Sequence, residues 1–284
     1  MNTIRQLSQY AKHALKDSYP EHEVDSLCTI IFMDVLRLAK IDIHLKKNDV
    51  LPESFVNKFR GMIELLKEGH PLQYVVGETE FLGRKFRVNP STLIPRPETG
   101  ELVRWAAAHA GAGGRLLDIG TGSGCIAVSL ACLCPGAEVE GVDISAEALA
   151  VAAQNAACNG VEVLFRQADI LNYQQSEWRR YDMIVSNPPY VRESEKAGMQ
   201  PQVLLHEPHG ALFVPDGDPL LFYRRIAEFG QEHLREGGHL FFEINEAFGA
   251  ETAALLEHHG YTEVEVRRDF DGRERMAKGI KTNG

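Results

Sequence analysis

The stretch LLDIGTGSGCIAVSL, Leu116 to Leu130, decides the fold. Leu116 and Leu117 suit a buried strand and lead to an acid, Asp118, near its end. Gly120, Gly122 and Gly124 follow at alternate positions, and then an apolar segment at helical spacing. Glycines let the backbone turn sharply and let a ligand approach closely, so this is a strand, a tight loop and a helix start. Working outward, the same rhythm recurs about every 25 residues, the length of a strand–helix unit. The short apolar runs are RLLDIG, AEVEGVDIS, VEVLFRQADI, YDMIVSN and HLFFEIN, with helical patterns such as AEALAVAAQNAACNG between them. Alternation of this kind predicts an α/β domain with a mostly parallel sheet and helices on both faces. TEVEVRRDFDGRERMAKGI reads as two strands around a turn at Asp271-Gly272, an antiparallel pair at the end of that sheet.

Upstream the character differs. Leu7, Tyr10, Ala11, Ala14 and Leu15 recur at helical spacing, as do Leu27, Cys28, Ile31, Phe32, Val35 and Leu36. Phe55, Phe59, Met62, Ile63 and Leu66 form a third stripe. Pro20 and Pro52 suit first turns of helices, and Gly69 suits a helix stop. Residues 1–73 are therefore predicted as a helical domain. QYVVGETEFLGRKFRVN reads as a hairpin turning at Gly83-Arg84, which makes residues 74–94 a linker and 95–284 the α/β domain.

Composition narrows the class. The chain is 44% hydrophobic and 25% charged, ordinary for a globular protein. No apolar run reaches the roughly 18 to 20 residues that span a bilayer, and the N-terminus lacks a signal-peptide h-region, so a cytoplasmic protein without a membrane partner is expected. The net charge of −10 argues against a broad phosphate-binding surface and direct nucleic-acid binding. Five cysteines at irregular spacing predict reduced structural thiols and no metal site. His109, His258 and His259 read as solvated helix or helix-end positions.

The candidate site follows from strand ends. Asp143 closes the second strand of the α/β domain, at the carboxyl edge where ligands bind open sheets, and its carboxylate can accept both hydroxyls of a ribose. A Gly loop with a ribose acid also describes a dinucleotide fold, and Gly122-x-Gly124-x-x-Ala127 loosely fits that fingerprint. Asp118 tilts the choice, because an acid before the loop suits an amine-bearing cofactor and repels pyrophosphate. S-adenosylmethionine carries an ammonium and a sulfonium; a nicotinamide dinucleotide carries two phosphates. Asp169, followed by Ile170, is placed to meet an adenine edge and is equally placed to cap the turn that follows.

SNPPYV then completes the edge. Asn187 ends the fourth strand, and Pro188 and Pro189 stiffen the exit. The Asn187 oxygen and the Pro188 carbonyl can each accept one N–H of a planar amine or amide, with Tyr190 as a flat wall. Such nitrogens are poor nucleophiles. Two fixed acceptors orient the nitrogen and favour the positive charge that grows on it.

At this point the chain resembles the HemK/PrmC family of glutamine-N5 methyltransferases. HPLQYVVGETEFLG resembles the family's linker hairpin, and TLIPRPETGELV its Pro-Arg-Pro-Glu-Thr signature. LLDIGTGSGCIAVSLA, SNPPYV, HEPHGALF, DGDPLLFYRRI and RRDFDGRERM follow in family order. The resemblance implies a Rossmann-like class I methyltransferase fold with seven strands. It implies methyl transfer from S-adenosyl-L-methionine, leaving S-adenosyl-L-homocysteine, to the glutamine of the Gly-Gly-Gln loop of bacterial class-I peptide-chain release factors. The helical domain would help to dock that partner. Carried over by motif, Gly120, Thr121, Gly122, Ser123, Gly124, Asp143, Asp169 and Ile170 hold the cofactor, together with Asp118 and Asn187. Asn187, Pro188, Pro189 and Tyr190 hold the glutamine, with Asn187, Pro188 and Tyr190 closest to the chemistry. Arg96, Pro97 and Glu98 would line the cleft, although Glu98 also suits a helix start. Gly100, His206 and Asn245 depart from the family's commoner residues and read as lying outside the methyl-transfer core. The rival activity is N-methylation of amino groups on DNA or RNA bases, which the same Asn-Pro-Pro-Tyr could serve. A non-catalytic binding module and a nicotinamide dehydrogenase are more distant alternatives.

Overall fold

The structure, a computed structural model, describes residues 2–282. In chain order the elements are helices α1 (Ile4–Leu15), α2 (Glu21–Leu36), α3 (Lys40–Leu45), α4 (Glu53–Lys67) and α5 (Leu72–Val76), then strands β1 (Glu78–Phe81) and β2 (Arg84–Arg87). There follow α6 (Pro97–Ala107), β3 (Arg115–Ile119), α7 (Cys125–Leu133), β4 (Glu138–Asp143), α8 (Ala146–Asn159), β5 (Leu164–Gln167) and β6 (Tyr181–Ser186). The remainder is β7 (Val191–Arg192), α9 (Pro201–His206), β8 (Phe213–Val214), α10 (Leu221–His233), β9 (Leu234–Glu243), α11 (Gly249–His258), β10 (Tyr261–Arg268) and β11 (Glu274–Lys281). Among the described residues, no helix is long and apolar enough to cross a membrane.

The chain divides into two compact units. The first runs to Glu78 and takes in Gln200–His206; the second holds Thr79–Met199 and the chain from Glu207 onward. The helical unit has the three stripes expected of it. Ile4, Leu7, Ala11 and Leu15 of α1 are buried, as are Val24, Leu27, Cys28, Ile31 and Phe32 of α2. Phe55, Val56, Phe59, Met62, Ile63 and Leu66 of α4 join them, and the Phe32 and Phe59 rings stack at 5.2 Å. Thr3 and Gln6 form a reciprocal capping box that starts α1. Pro20 and Pro52 stand at the cap, one residue before the first turn, and Gly69 stops α4 with φ +85°. The unit extends past residue 73 because Val75 of α5 is buried in the same core. Gln200–His206, although far along the chain, belongs here as well: Gln202 donates to the Tyr19 hydroxyl at 3.1 Å, and the His206 ring packs on His70 at 4.0 Å. His206, half-buried, has its basicity lowered by that burial and by His70.

In the second unit the β1–β2 hairpin turns at Leu82-Gly83, one residue earlier than the sequence suggests. Both residues are left-handed, φ +51° and +75°, the combination that matches the twist of paired strands. The hairpin turn packs on α6 at Gly100. A Cβ there would lie 3.0 Å from the end of the Leu82 side chain, so any larger residue would require Leu82 to shift.

The main sheet has seven strands in the order β10-β11-β9-β6-β3-β4-β5. Pairs β9–β6, β6–β3, β3–β4 and β4–β5 are parallel, and β11 runs antiparallel to both β9 and β10. This is the Rossmann-like arrangement expected, with the antiparallel pair at one edge. Neighbouring residues of one strand feed opposite faces: Leu116, Val185 and Phe241 enter one apolar core, and Leu117, Ile184 and Phe242 the other. Burial on both sides is why these strands read as unbroken apolar runs. Asp269 tightens the β10–β11 turn by accepting from the Asp271 and Arg273 amides.

Candidate active site

Register and topology bring the site together. The chain leaves β3 toward β4 and β5 on one side and returns to β6 and β9 on the other. The rim of β3 is therefore the switch point where open sheets bind ligands. Ile119 pairs with Val142 on β4 and with Ser186 on β6. Gly120, Asp143 and Asn187, each next in chain, must then stand side by side at the carboxyl rim. Ser186 pairs with Phe242, so Glu243 of β9 stands beside Asn187.

The glycine loop is built from below. Asp118 is fully buried, and its Oδ2 accepts from the Thr121 hydroxyl at 2.6 Å and the Ala127 amide at 3.1 Å. Its Oδ1 has no hydrogen-bond partner among the described residues, and desolvation pushes the carboxyl up to about 7. The acid thus lies beneath the loop rather than on its surface, where a direct contact with a cofactor amine would need it. Thr121 and Ser123 are buried too; Asp118 holds the Thr121 hydroxyl, while the Ser123 hydroxyl has no hydrogen-bond partner among the described residues. Gly124 is left-handed at φ +79°, and a Cβ there would come within 3.0 Å of the Ala152 Cβ. Gly120 and Gly122 keep the loop low and open: only the Asn187 carbonyl, 4.0 Å away, would meet a Cβ at Gly120, and nothing would at Gly122.

Asp143 is half-buried beside that loop. Its Oδ2 accepts from the Gly122 amide at 2.8 Å and its Oδ1 from the Ser145 amide at 2.9 Å. Each oxygen retains a lone pair, which fits a diol, and burial raises its carboxyl above the ordinary range. Asp169 caps the turn of 3-10 helix at Ile170–Gln175: Oδ1 accepts from the Leu171 amide and Oδ2 from the Asn172 side chain. Asp169 and Ile170 are both half-buried.

The Asn187–Tyr190 exit is held at several points. The Ser186 hydroxyl donates to the Ile119 carbonyl at 2.6 Å, tying the end of β6 to β3. Pro188 is buried. β7 pairs with β8 immediately after Tyr190, and the Val191 amide donates to the Leu212 carbonyl. The Asn187 amide donates to the Thr99 hydroxyl at 3.4 Å, and that hydroxyl donates to Glu243 Oε2 at 2.6 Å. The Tyr190 hydroxyl donates to Glu243 Oε1 at 3.0 Å, and burial with that acid holds its pKa well above the usual value.

Asn245 corrects an expectation. Far from lying outside the core, its side chain donates to the Tyr190 carbonyl at 3.1 Å and contacts the Glu195 carboxylate, while its oxygen caps the next turn. It therefore braces the loop that carries Asn187. His109 also departs from its reading: it is half-buried, bonded to the Trp105 carbonyl and packed against Trp105, His239 and Phe241. Arg96 is drawn to buried Glu207 at 2.6 Å, and Glu207 also accepts from the Ile94 amide, so this pair anchors the entry to α6. Pro97 and Glu98 form the first turn of α6, which suits the acid to the helix dipole. Thr99 and Glu243 escaped the sequence reading. Their signals were an acid closing an apolar strand at the same rim, and a threonine inside the Pro-Arg-Pro-Glu-Thr stretch. All five cysteines are free, with Cys28 and Cys125 buried and pushed up to about 12, and no metal-binding cluster occurs among the described residues.

The PrmC N-terminal domain family matches residues 6–77, and the methyltransferase small domain family matches residues 102–218. A release factor glutamine methyltransferase of Bacteroides thetaiotaomicron is 45% identical over 273 residues, covering 96% of this chain and 98% of the relative. The Bacillus subtilis protein of the same name is 36% identical over 282 residues, covering 97% of this chain and 96% of its own. Among solved structures, a methyltransferase from Pyrococcus furiosus shares the fold, with a TM-score of 0.54 at 18% identity over 72% of this chain and 91% of its own. With relatives of this identity along nearly its whole length, the chain belongs to the release factor glutamine methyltransferase family.

Proposed function

We propose that this protein methylates the side-chain amide nitrogen of the glutamine in the Gly-Gly-Gln loop of class-I peptide-chain release factors. The observation that carries the proposal is the position of Asn187: it stands on the rim between the open Gly120–Gly122 loop and Glu243, with its amide end tied inward. Release factors act where proteins are made, so a cytoplasmic enzyme follows from this substrate.

The rim fits S-adenosylmethionine. Gly120 and Gly122 leave room for close approach, Asp143 has lone pairs that would take the ribose hydroxyls, and Asp169 with Ile170 would meet the adenine edge. Asp118, Thr121 and Gly124 hold the loop in shape. When bound, the cofactor supplies a methyl group made electrophilic by its sulfonium.

The chain's own task is to present the nucleophile. Asn187 Oδ1 and the Pro188 carbonyl accept the two N–H bonds of the glutamine amide and hold its nitrogen still. Both acceptors draw density toward that nitrogen and favour the positive charge that grows on it. Tyr190, fixed by Glu243 and by Asn245, forms a flat wall of the site. No strong base is required, because a cationic amide nitrogen sheds its proton readily to solvent.

Incubation with labelled cofactor and a purified release factor, followed by mass spectrometry of the Gly-Gly-Gln peptide, tests this directly. A gain of one methyl group on the glutamine is expected. Label found only in DNA or RNA supplied in parallel would transfer the assignment to base methylation.

A further inference from the structure

Behind Asn187 lies a pair of side chains that touches no candidate ligand position. Thr99, at the third position of α6, is 2% exposed, and Glu243, at the end of β9, is fully buried. Their separation of 2.6 Å is that of a strong, charge-assisted hydrogen bond. A threonine hydroxyl has one proton and two lone pairs. The carboxylate is the best acceptor within reach, so the proton goes to Glu243. Only lone pairs of Oγ1 remain for Asn187, 3.4 Å away.

A carboxamide has almost the same shape in its two flipped states, so packing alone does not choose between them. Chemistry does. Facing Thr99 with its NH2, Asn187 makes a hydrogen bond; facing it with its oxygen, it sets lone pair against lone pair. The same choice fixes the other end of the side chain. With the NH2 inward, Oδ1 is free to accept from a substrate –NH2. Reversed, Asn187 would oppose a donor with a donor.

We propose that Thr99 and Glu243 are positioning residues that set the polarity of the Asn187 carboxamide, turning its oxygen toward the substrate amide; this rests on the function proposed above and names the groups through which Asn187 acts. The same carboxylate holds the Tyr190 hydroxyl through its other oxygen. One buried acid therefore orders both the acceptor and the wall of the site, and joins α6, β6 and β9 at the rim.

Glu243 must be ionised to accept from both hydroxyls. Burial pushes it up to about 7, against the Thr99 and Tyr190 hydrogen bonds, with Glu98 of α6 raising it further and Arg275 of β11 lowering it. The Cys125 thiol of α7 and the Tyr223 hydroxyl of α10 also face this group. Once protonated, Glu243 can donate to Thr99 and remove the preference. Turnover should therefore rise with pH through about 7.

The test compares wild type, Thr99→Val, Thr99→Ser and Glu243→Gln on a purified release factor, measuring kcat, KM and cofactor Kd, with thermal melting as the check on folding. Thr99→Val is expected to lower kcat by about 10²-fold, the scale of a misplaced reacting group, with cofactor Kd little changed. Thr99→Ser, which keeps the hydroxyl, should restore most of that loss. Wild type should show the acid limb in kcat, and Glu243→Gln should lack it. A Thr99→Val enzyme as fast as wild type, or a Thr99→Ser enzyme as slow as Thr99→Val, overturns the proposal. Should Thr99→Val not fold, an unaltered acid limb in Glu243→Gln overturns it independently. Failure of wild type itself to methylate release factor refutes the proposed function instead, so the two results are told apart.

Discussion

Asn187 is an ordinary residue given a role by what surrounds it. Its amide end is engaged by Thr99, and its backbone is stiffened by Pro188 and Pro189. Replacement by alanine removes one positioned acceptor beside growing charge, so Asn187→Ala should cut kcat by about 10²-fold or more. Cofactor affinity should change much less, which equilibrium binding can check; a collapse of binding in step with kcat would contradict the assigned role. Asp143 is the complement. Each of its carboxylate oxygens keeps a lone pair beyond the backbone amide it accepts from. Asp143→Ala should weaken cofactor binding by about 10-fold or more, as expected for lost hydrogen bonds to a charged group, measured by calorimetry.

Asp118 makes a prediction about stability at the same scale. Burial raises its carboxyl in the folded protein to about 7 from an ordinary value of 3.8. The folded state therefore binds the proton more tightly than the unfolded chain does. The stability linked to that proton is fully present below about pH 4 and is lost as pH rises through about 7. Asp118→Asn has no such titration. Its stability relative to wild type, read from urea unfolding, should improve steadily as pH rises from 4 to 8. A constant difference across that range would show that Asp118 does not carry this linkage.

Elements set the site by register and by loop shape. The glycine loop depends on Gly124 at the start of α7, where a left-handed backbone and the Ala152 contact both forbid a side chain. Gly124→Val should destabilise the fold by about 1–3 kcal/mol, the scale of local backbone strain, and widen the loop. Urea unfolding and cofactor titration measure the two effects; unchanged values would show that the turn relaxes without cost. Asn155 of α8 supports the same loop from outside, donating to the Ser123 and Arg87 carbonyls while accepting from the Arg87 amide. One buried amide thus connects the glycine loop to strand β2. Its loss leaves backbone groups unsatisfied, each at a cost of about 1–3 kcal/mol.

For the whole molecule, two cores mean two separable stabilities. Phe59 is fully buried in the helical unit and stacks on Phe32. Truncation to alanine should cost about 3–5 kcal/mol, enough to unfold a small helical core. The seven-stranded unit has its own two apolar layers. Phe59→Ala should therefore keep cofactor binding while losing helical signal in circular dichroism and activity on intact release factor. Simultaneous loss of cofactor binding would show that the units fold as one.

Much of this was decided along the chain itself. The alternation of apolar runs and helical patterns determined the α/β unit, because a strand buried on both faces must be continuously apolar. The 3-4 spacing of Leu7, Ala11, Leu15 and their counterparts determined the helical unit. Asp143 and Asn187 could be read as neighbours because residues at strand ends share one rim in a parallel sheet. Other features depended on contacts between residues far apart in sequence, and no local pattern encodes those. The tertiary structure alone put Asp118 under the loop, joined Gln200–His206 to the helices, and set Asn245 against Tyr190. It alone brought Thr99 of α6 against Glu243 of β9, 144 residues away, because side-chain polarity at a buried point is settled by whichever donor or acceptor packs there.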